Sequence, residues 1–247
     1  MTIKQIDEIM KSTPIDKLEA CLDEFKFDDR DGVQKLINKY KKHLNELNSW
    51  QAKLDFDAVW QGQEYLVGVD EVGRGPLAGN VVAAAVILPK DVCILGLKDS
   101  KKLSESKREL LYDEIMDKAL AIGIGEVSAC QIDKINILQA TFEAMRLALN
   151  QIDVEYDVIC VDGNHTIPLV NTKQYAIVGG DNKSAAIAAA SVIAKVTRDR
   201  QMNELHLHYP EYDFISNKGY GTKKHYDGIA KLGITNIHRK SFLRGII

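Results

Sequence analysis

The period of the apolar positions changes near residue 64, and that change divides the chain. Before it, Ile3, Ile6, Ile9 and Met10 recur at helical spacing. Thr13-Pro14 interrupts them, with Pro14 suited to the first turn of a second helix running to about Phe25. After a polar turn at Asp28 to Asp31, Val33, Leu36, Ile37, Tyr40, Leu44, Leu47, Trp50 and Leu54 return at threes and fours. They predict one long amphipathic helix. Residues 1–63 therefore read as a helical N-terminal extension, structural or accessory, or a binder of nucleic acid or of a partner.

From Glu64 the pattern is α/β. Tyr65, Leu66, Val67 and Val69 predict a strand that stops in Asp70-Glu71 and a Gly73-Arg74-Gly75 turn. Asn80 to Leu88 is a second buried strand, bounded by Gly79 and Pro89 and paired with the first as a hairpin. A polar loop, Asp99 to Ser104, leads into a helix over 105–120, and Ile122 to Ala129 alternates as a strand. Gln131 to Leu149 is amphipathic, and Tyr156 to Asp162 is another apolar strand ended by an acid and Gly163. Gln174 to Val178 is a short edge-like strand, and an alanine-rich helix follows Gly179 to Ser184. Thr222 is set to cap a short helix through Lys231. The second domain thus spans 64–247, with a helical C-terminal subdomain from about 205.

A chain of 247 residues that is 45% hydrophobic and 27% charged is ordinary for a globular protein. No apolar run suffices to span a bilayer, and Met1 to Glu19 lacks a signal-peptide pattern, so a cytoplasmic protein is expected. Cys21, Cys93, Cys130 and Cys160 form no CxxC, which suits reduced thiols and no zinc site. The net charge of −3 conceals an asymmetry. Residues 188–247 hold ten basic and five acidic side chains, hence +5, leaving −8 on the rest. A basic C-terminal quarter beside an acidic body points to a polyanionic partner, unless it is a solvated basic helix.

Asp and Glu are poor strand formers. One acid pair closing a strand is more often a solvated turn, but the device recurs at Asp162. If the two strands are parallel neighbours, Asp70 and Asp162 share the crevice beyond their carboxyl ends. Asp181, at the entry of the alanine-rich helix, is either a cap or a further carboxylate at that crevice. Clustered carboxylates call for counter-charge, and two hard divalent cations supply it. Asp70 and Glu71 are adjacent, so a regular strand turns them to opposite faces. Either the strand breaks at Glu71, or its carbonyl serves as a ligand. Gly73 and Gly75 open the backbone to a ligand, and Arg74 offers a phosphate-directed fork. Ser184, Ser191, Lys195 and Arg198 fall near one helix face suited to a sugar-phosphate backbone. Tyr220, between Gly219 and Gly221 among lysines, suits stacking on a base or sugar, or simply packs in a turn. No Ser-His-Asp or Cys-His spacing, P-loop or dinucleotide fingerprint competes.

Several motifs, taken in order, resemble type 2 ribonuclease H, ribonuclease HII. They are Gly68-Val-Asp-Glu-Val-Gly-Arg-Gly-Pro-Leu-Ala-Gly79, Asp99-Ser-Lys-Lys-Leu-Ser104, Val161-Asp-Gly163, Gly180-Asp181, Ala188 to Asp199 and Gly219-Tyr-Gly221. The resemblance covers about Tyr65 to Phe242. It implies an RNase H-like mixed sheet flanked by helices. It also implies endonucleolytic cleavage of RNA in RNA–DNA hybrids and of ribonucleotides embedded in duplex DNA, leaving 3′-hydroxyl and 5′-phosphate ends with Mn²⁺ or Mg²⁺. By position it assigns metal binding and catalysis to Asp70, Glu71, Asp162 and Asp181. It assigns contact with the ribose 2′-hydroxyl to Gly73, Arg74 and Gly75, junction reading to Tyr220, and approach to the scissile phosphate to Lys101. A monomer acting on nucleic acid in replication and repair is the expectation. Ribonuclease HIII is the rival enzyme, but its first motif carries Ser and Lys where this chain has Val72 and Arg74. A non-catalytic hybrid-binding module is the rival from another class.

Overall fold

The computed structural model describes residues 1–97, 100 and 103–245. The chain divides into two compact units, Met1–Ala52 and Lys53–Ile247. In the first, α1 (Ile3–Ser12) opens with a capping box, in which Thr2 accepts from the Gln5 amide and the Gln5 side chain answers the Thr2 amide. α2 (Ile15–Glu24) follows Pro14, and α3 (Asp31–Trp60) runs past the boundary into the second unit. Ile6, Met10, Leu18, Leu22, Val33 and Ile37 form the core of the first unit. The apolar spacing seen in the sequence becomes three packed faces.

The second unit is built on a five-stranded mixed sheet. β1 (Tyr65–Val72) and β2 (Val81–Ile87) form the expected antiparallel hairpin. α4 (Glu105–Lys118) leads to β3 (Ala121–Val127), antiparallel to β2. α5 (Ala129–Leu149) precedes β4 (Tyr156–Asp162), which pairs parallel with β1. β5 (Lys173–Ile177) lies parallel to β4 at the edge, so the order is β3-β2-β1-β4-β5. One turn of helix, α6 (Gly180–Lys183), precedes α7 (Ala185–His208). α8 (Phe214–Asn217) and α9 (Lys223–Leu232), the latter capped by Thr222, are the last α-helices among the described residues, with short 3-10 turns at Pro210–Tyr212 and Lys240–Phe242.

α5 starts two residues earlier than its periodicity predicts, because the Ser128 hydroxyl caps it by accepting from the Gln131 amide. α7 also runs well past the alanine-rich stretch. Its first turns press on β1 so closely that a Cβ at Gly68 would lie 2.2 Å from the Ala186 carbonyl carbon. Only glycine lets helix and sheet meet there. Among the described residues no helix is long and apolar enough to cross a membrane.

The C-terminal helices enclose Leu77, Met202, Tyr212, Phe214 and Ile229. Among these apolar groups lie two buried histidines, His225 and His238. The Thr235 amide donates to His238 Nδ1 at 3.0 Å, so a neutral His238 carries its proton on Nε2 and donates to His225 Nε2 at 3.1 Å. His225 Nδ1 then donates to the Tyr220 carbonyl at 3.0 Å. Burial, followed by the neighbouring His225, pushes His238 down to about 4. An unfolded histidine titrates near ~6.5. As pH falls from about 6.5 towards 4, the unfolded chain takes a proton that the folded chain refuses, so stability is lost across that window. Urea unfolding at pH 7 and pH 5 is expected to show a larger loss of stability in the wild type than in His238→Asn. Equal losses would contradict this.

Candidate active site

β1 and β4 leave the sheet side by side. Their last paired residues are Val69 and Val161, so Asp70 and Asp162 are the next positions on two parallel strands and point to one face. Asp70 is buried. Its Oδ1 accepts the Glu71 amide at 2.7 Å. Burial, then the charges of Glu71 and Asp162, raise its carboxyl well above the ordinary range, against an opposing hydrogen bond from Ser191. Ser191, buried on α7, also shares a hydrogen bond with Ser100 at 3.0 Å.

The strand does not break at Glu71, contrary to one of the two sequence expectations. Pairing with β2 continues through Glu71↔Ala83 to Val72↔Val82 after the β4 partnership has stopped. Glu71 therefore stays in the β1–β2 ladder beyond the last β1–β4 pair. It lines a crevice of about 150 Å³ with Arg74, Thr141, Phe142, Asp162 and His165. Arg74 Nη1 lies 3.3 Å from Glu71 Oε1.

Asp162 Oδ1 accepts the Gly180 amide at 2.7 Å, tying the end of β4 to α6. The next residue, Asp181, is nearly buried, and its Oδ1 accepts from Asn182 Nδ2 at 2.8 Å. Two residues from the end of α3 support this corner. Lys53 Nζ, buried, donates to the Asp181 carbonyl at 2.9 Å. Asp57 Oδ2 accepts the amides of Ala185 and Ala186 at 2.9 and 3.0 Å, capping α7 from another helix. Burial pushes Asp57 up to about 6 despite these bonds. Neither stands out in the sequence, because their partners are backbone groups some 128 residues away.

Gly73 has φ +92°, and a Cβ there would meet Arg198 Nε at 2.3 Å, so both conformation and space demand glycine. A Cβ on Gly75 would sit 3.4 Å from Tyr220 Cε1, which puts the half-exposed tyrosine ring against the Gly-Arg-Gly turn. Lys195 Nζ pairs with Asp199 at 2.7 Å on α7. Arg198, read from the sequence as part of a phosphate-facing surface, is fully buried and donates to the carbonyls of Ala78, Asn80 and Lys218. Lys101 lies outside the described residues.

Among the described residues no three His, Cys, Asp or Glu side chains already stand around one point as metal ligands. The donor chemistry nevertheless fits a hard divalent cation. Asp70 is a buried carboxyl beside two more carboxylates, and a cation relieves a repulsion that desolvation alone makes worse. Without metal, Asp70→Asn is therefore expected to raise the unfolding free energy by about 1 kcal/mol in chelator. A loss of stability in that variant would contradict the crowding described here.

The family model for Ribonuclease HII matches residues 67–245, and that for the Ribonuclease HII N-terminal domain matches residues 2–55. A Ribonuclease HII of Lachnoclostridium phytofermentans is 50% identical over 228 residues, covering 91% of this chain and 89% of its own. That of Acetivibrio thermocellus is 47% identical over 253 residues, covering 100% and 98%. The crystal structure of the ribonuclease H2 from Pyrococcus horikoshii OT3 aligns with a TM-score of 0.61 at 27% identity, over 74% of this chain and 96% of that one.

Proposed function

The chain belongs to the ribonuclease HII family and is accordingly a ribonuclease H, a hydrolase and endonuclease for RNA paired with DNA; on that premise we propose that it also cuts at single ribonucleotides embedded in duplex DNA, leaving 3′-hydroxyl and 5′-phosphate ends. The observation that carries this reading is the convergence of Asp70 and Asp162 at the carboxyl ends of two parallel strands, with Glu71 beside them. Asp181 follows the amide that Asp162 accepts. These four carboxylates would hold the divalent cations, Mn²⁺ or Mg²⁺. Such a pair, when bound, supplies Lewis acidity and charge compensation at the scissile phosphate.

The chain's own groups then divide the remaining work. The backbone of Gly73, Arg74 and Gly75 meets the ribose and reads the 2′-hydroxyl that separates RNA from DNA. Tyr220, beside Gly75, stacks on the neighbouring sugar or base. Arg74 and Lys195 direct positive charge at the backbone, with Lys101 approaching the scissile phosphate. Ser191 holds Asp70 from beneath. The two-domain organisation, 1–63 and 64–247 with a helical C-terminal subdomain, belongs to the same reading: catalysis resides in the second part.

Mapping the products of a duplex with one ribose tests this. Cleavage at the ribose, with the stated ends, is expected only when Mn²⁺ or Mg²⁺ is added. Asp70→Asn is expected to lose at least about 10²-fold in rate. Equal cutting of an all-DNA duplex, or full activity of that variant, would contradict the reading. Tyr220→Ala is expected to weaken cleavage at the single ribose by about 5- to 100-fold, as lost stacking requires. An unchanged rate would remove the tyrosine from the site.

A further inference from the structure

The loop from Gly73 to Asn80 is held through the amides of Leu77 and Gly79, which donate to the Gly219 and Ile237 carbonyls, and through the carbonyl oxygens of most of its residues. Arg239, fully buried, supplies most of the donors. Its Nη2 donates to the Gly73 carbonyl at 2.6 Å and to that of Gly79 at 2.8 Å, and its Nη1 donates to the Arg74 carbonyl at 3.0 Å. Its Nε also donates to the Gly79 carbonyl at 3.0 Å. Its backbone amide donates to the Leu77 carbonyl at 2.8 Å. Arg198 takes the carbonyls of Ala78 and Asn80 from the other side.

This is an expensive way to hold a loop. Burial pushes Arg239 down to about 9, and the like charge of Arg198 adds to the effect. Among the described residues neither guanidinium has a carboxylate among its hydrogen-bond acceptors. An apolar filler would avoid that cost but would leave three or more carbonyls unpaired. The arrangement therefore secures something that packing alone does not: the direction of particular peptide groups.

In a trans peptide the carbonyl of one residue and the amide of the next point in opposite directions. Drawing the Gly73 carbonyl onto Arg239 turns the Arg74 amide away from the interior. Drawing in the Arg74 carbonyl does the same for the Gly75 amide. Among the described residues neither amide has an acceptor in the chain, and both Arg74 and Gly75 are exposed. Pro76 has no amide, and the Leu77 amide returns inward to the Gly219 carbonyl at 2.8 Å. The outward-facing donors are thus two consecutive amides, beside the Tyr220 ring. Consecutive amides aimed one way form a concave donor pair suited to an oxygen ligand.

We propose that Arg239 is a positioning residue for ribose recognition, holding the carbonyls of Gly73 and Arg74 so that the Arg74 and Gly75 amides stand outward as paired donors to a ribose hydroxyl. This rests on the reading that the Gly-Arg-Gly turn distinguishes ribose from deoxyribose. Arg239 itself touches no substrate. A lysine in its place keeps the charge but loses the fork that spans several carbonyls.

The test is binding in chelator, where cleavage does not intervene, by fluorescence anisotropy. Two duplexes of one sequence are compared, one with a single ribonucleotide and one all DNA. The expected result is a preference for the ribose duplex in the wild type that Arg239→Lys loses by at least fivefold, with all-DNA affinity changed less than twofold. A folded Arg239→Lys that keeps the full preference overturns the proposal, as does an equal loss on both duplexes. A wild type with no preference refutes the ribose reading itself, and the inference with it. Amide hydrogen exchange of the wild-type chain stands independently of how the variant folds. The Arg74 and Gly75 amides are expected to exchange at least tenfold more slowly with the ribose duplex than with the all-DNA duplex, and equal protection would overturn the proposal.

Discussion

Carboxylates brought together out of water repel one another, and much of the second unit is arranged around that repulsion. Asp70 carries the clearest sign of it: burial and the charges of Glu71 and Asp162 all push its carboxyl towards the neutral form. A fold selected for stability alone would place an alanine or valine at the end of β1, as β2 does at Ala83 and Ala84 opposite. Three acids at one crevice are the donor chemistry that a hard divalent cation would take. The surrounding structure holds them in place. Ser191 steadies Asp70 from α7, the Gly180 amide steadies Asp162, and Lys53 steadies the Asp181 backbone.

The sheet order turns this chemistry into geometry. β1 is central, antiparallel to β2 on one side and parallel to β4 on the other. The β1–β4 parallel pairing brings two carboxyl ends together. The β1–β2 hairpin carries the chain beyond them, so that Glu71 and the Gly-Arg-Gly turn project over the crevice. α7 then lies against β1 across Gly68. The C-terminal segment returns Arg239 beneath the turn and Tyr220 beside it, which places a donor surface next to the acid crevice.

Much of this was legible in the residues. A strand ending in an acid followed by glycine occurs twice, and the anomaly against strand propensity is local, so Asp70 and Asp162 stand out in the sequence. The hairpin and the capping by Thr222 follow from period and turn chemistry in the same way, whereas the mixed sheet was implied by the resemblance of the motifs. What escaped has a common physical cause. Lys53, Asp57 and Arg239 act on backbone groups distant in sequence, and a carbonyl or amide partner leaves no mark in side-chain spacing. Arg198 shows the opposite error: its helix spacing suggests an exposed phosphate contact, while tertiary packing buries it against carbonyls. The continuation of β1 through Glu71 depends on a cross-strand partner, so no local pattern could reveal it.

The account depends on a cation relieving the repulsion among these acids. Thermal unfolding of the wild type and of Asp70→Asn, each titrated with Mn²⁺ or Mg²⁺ in the absence of nucleic acid, tests that dependence most directly. The account expects the ion to raise the wild-type midpoint in a saturable way and to leave that of Asp70→Asn nearly unchanged. No shift in the wild type, or the same shift in both proteins, would contradict it.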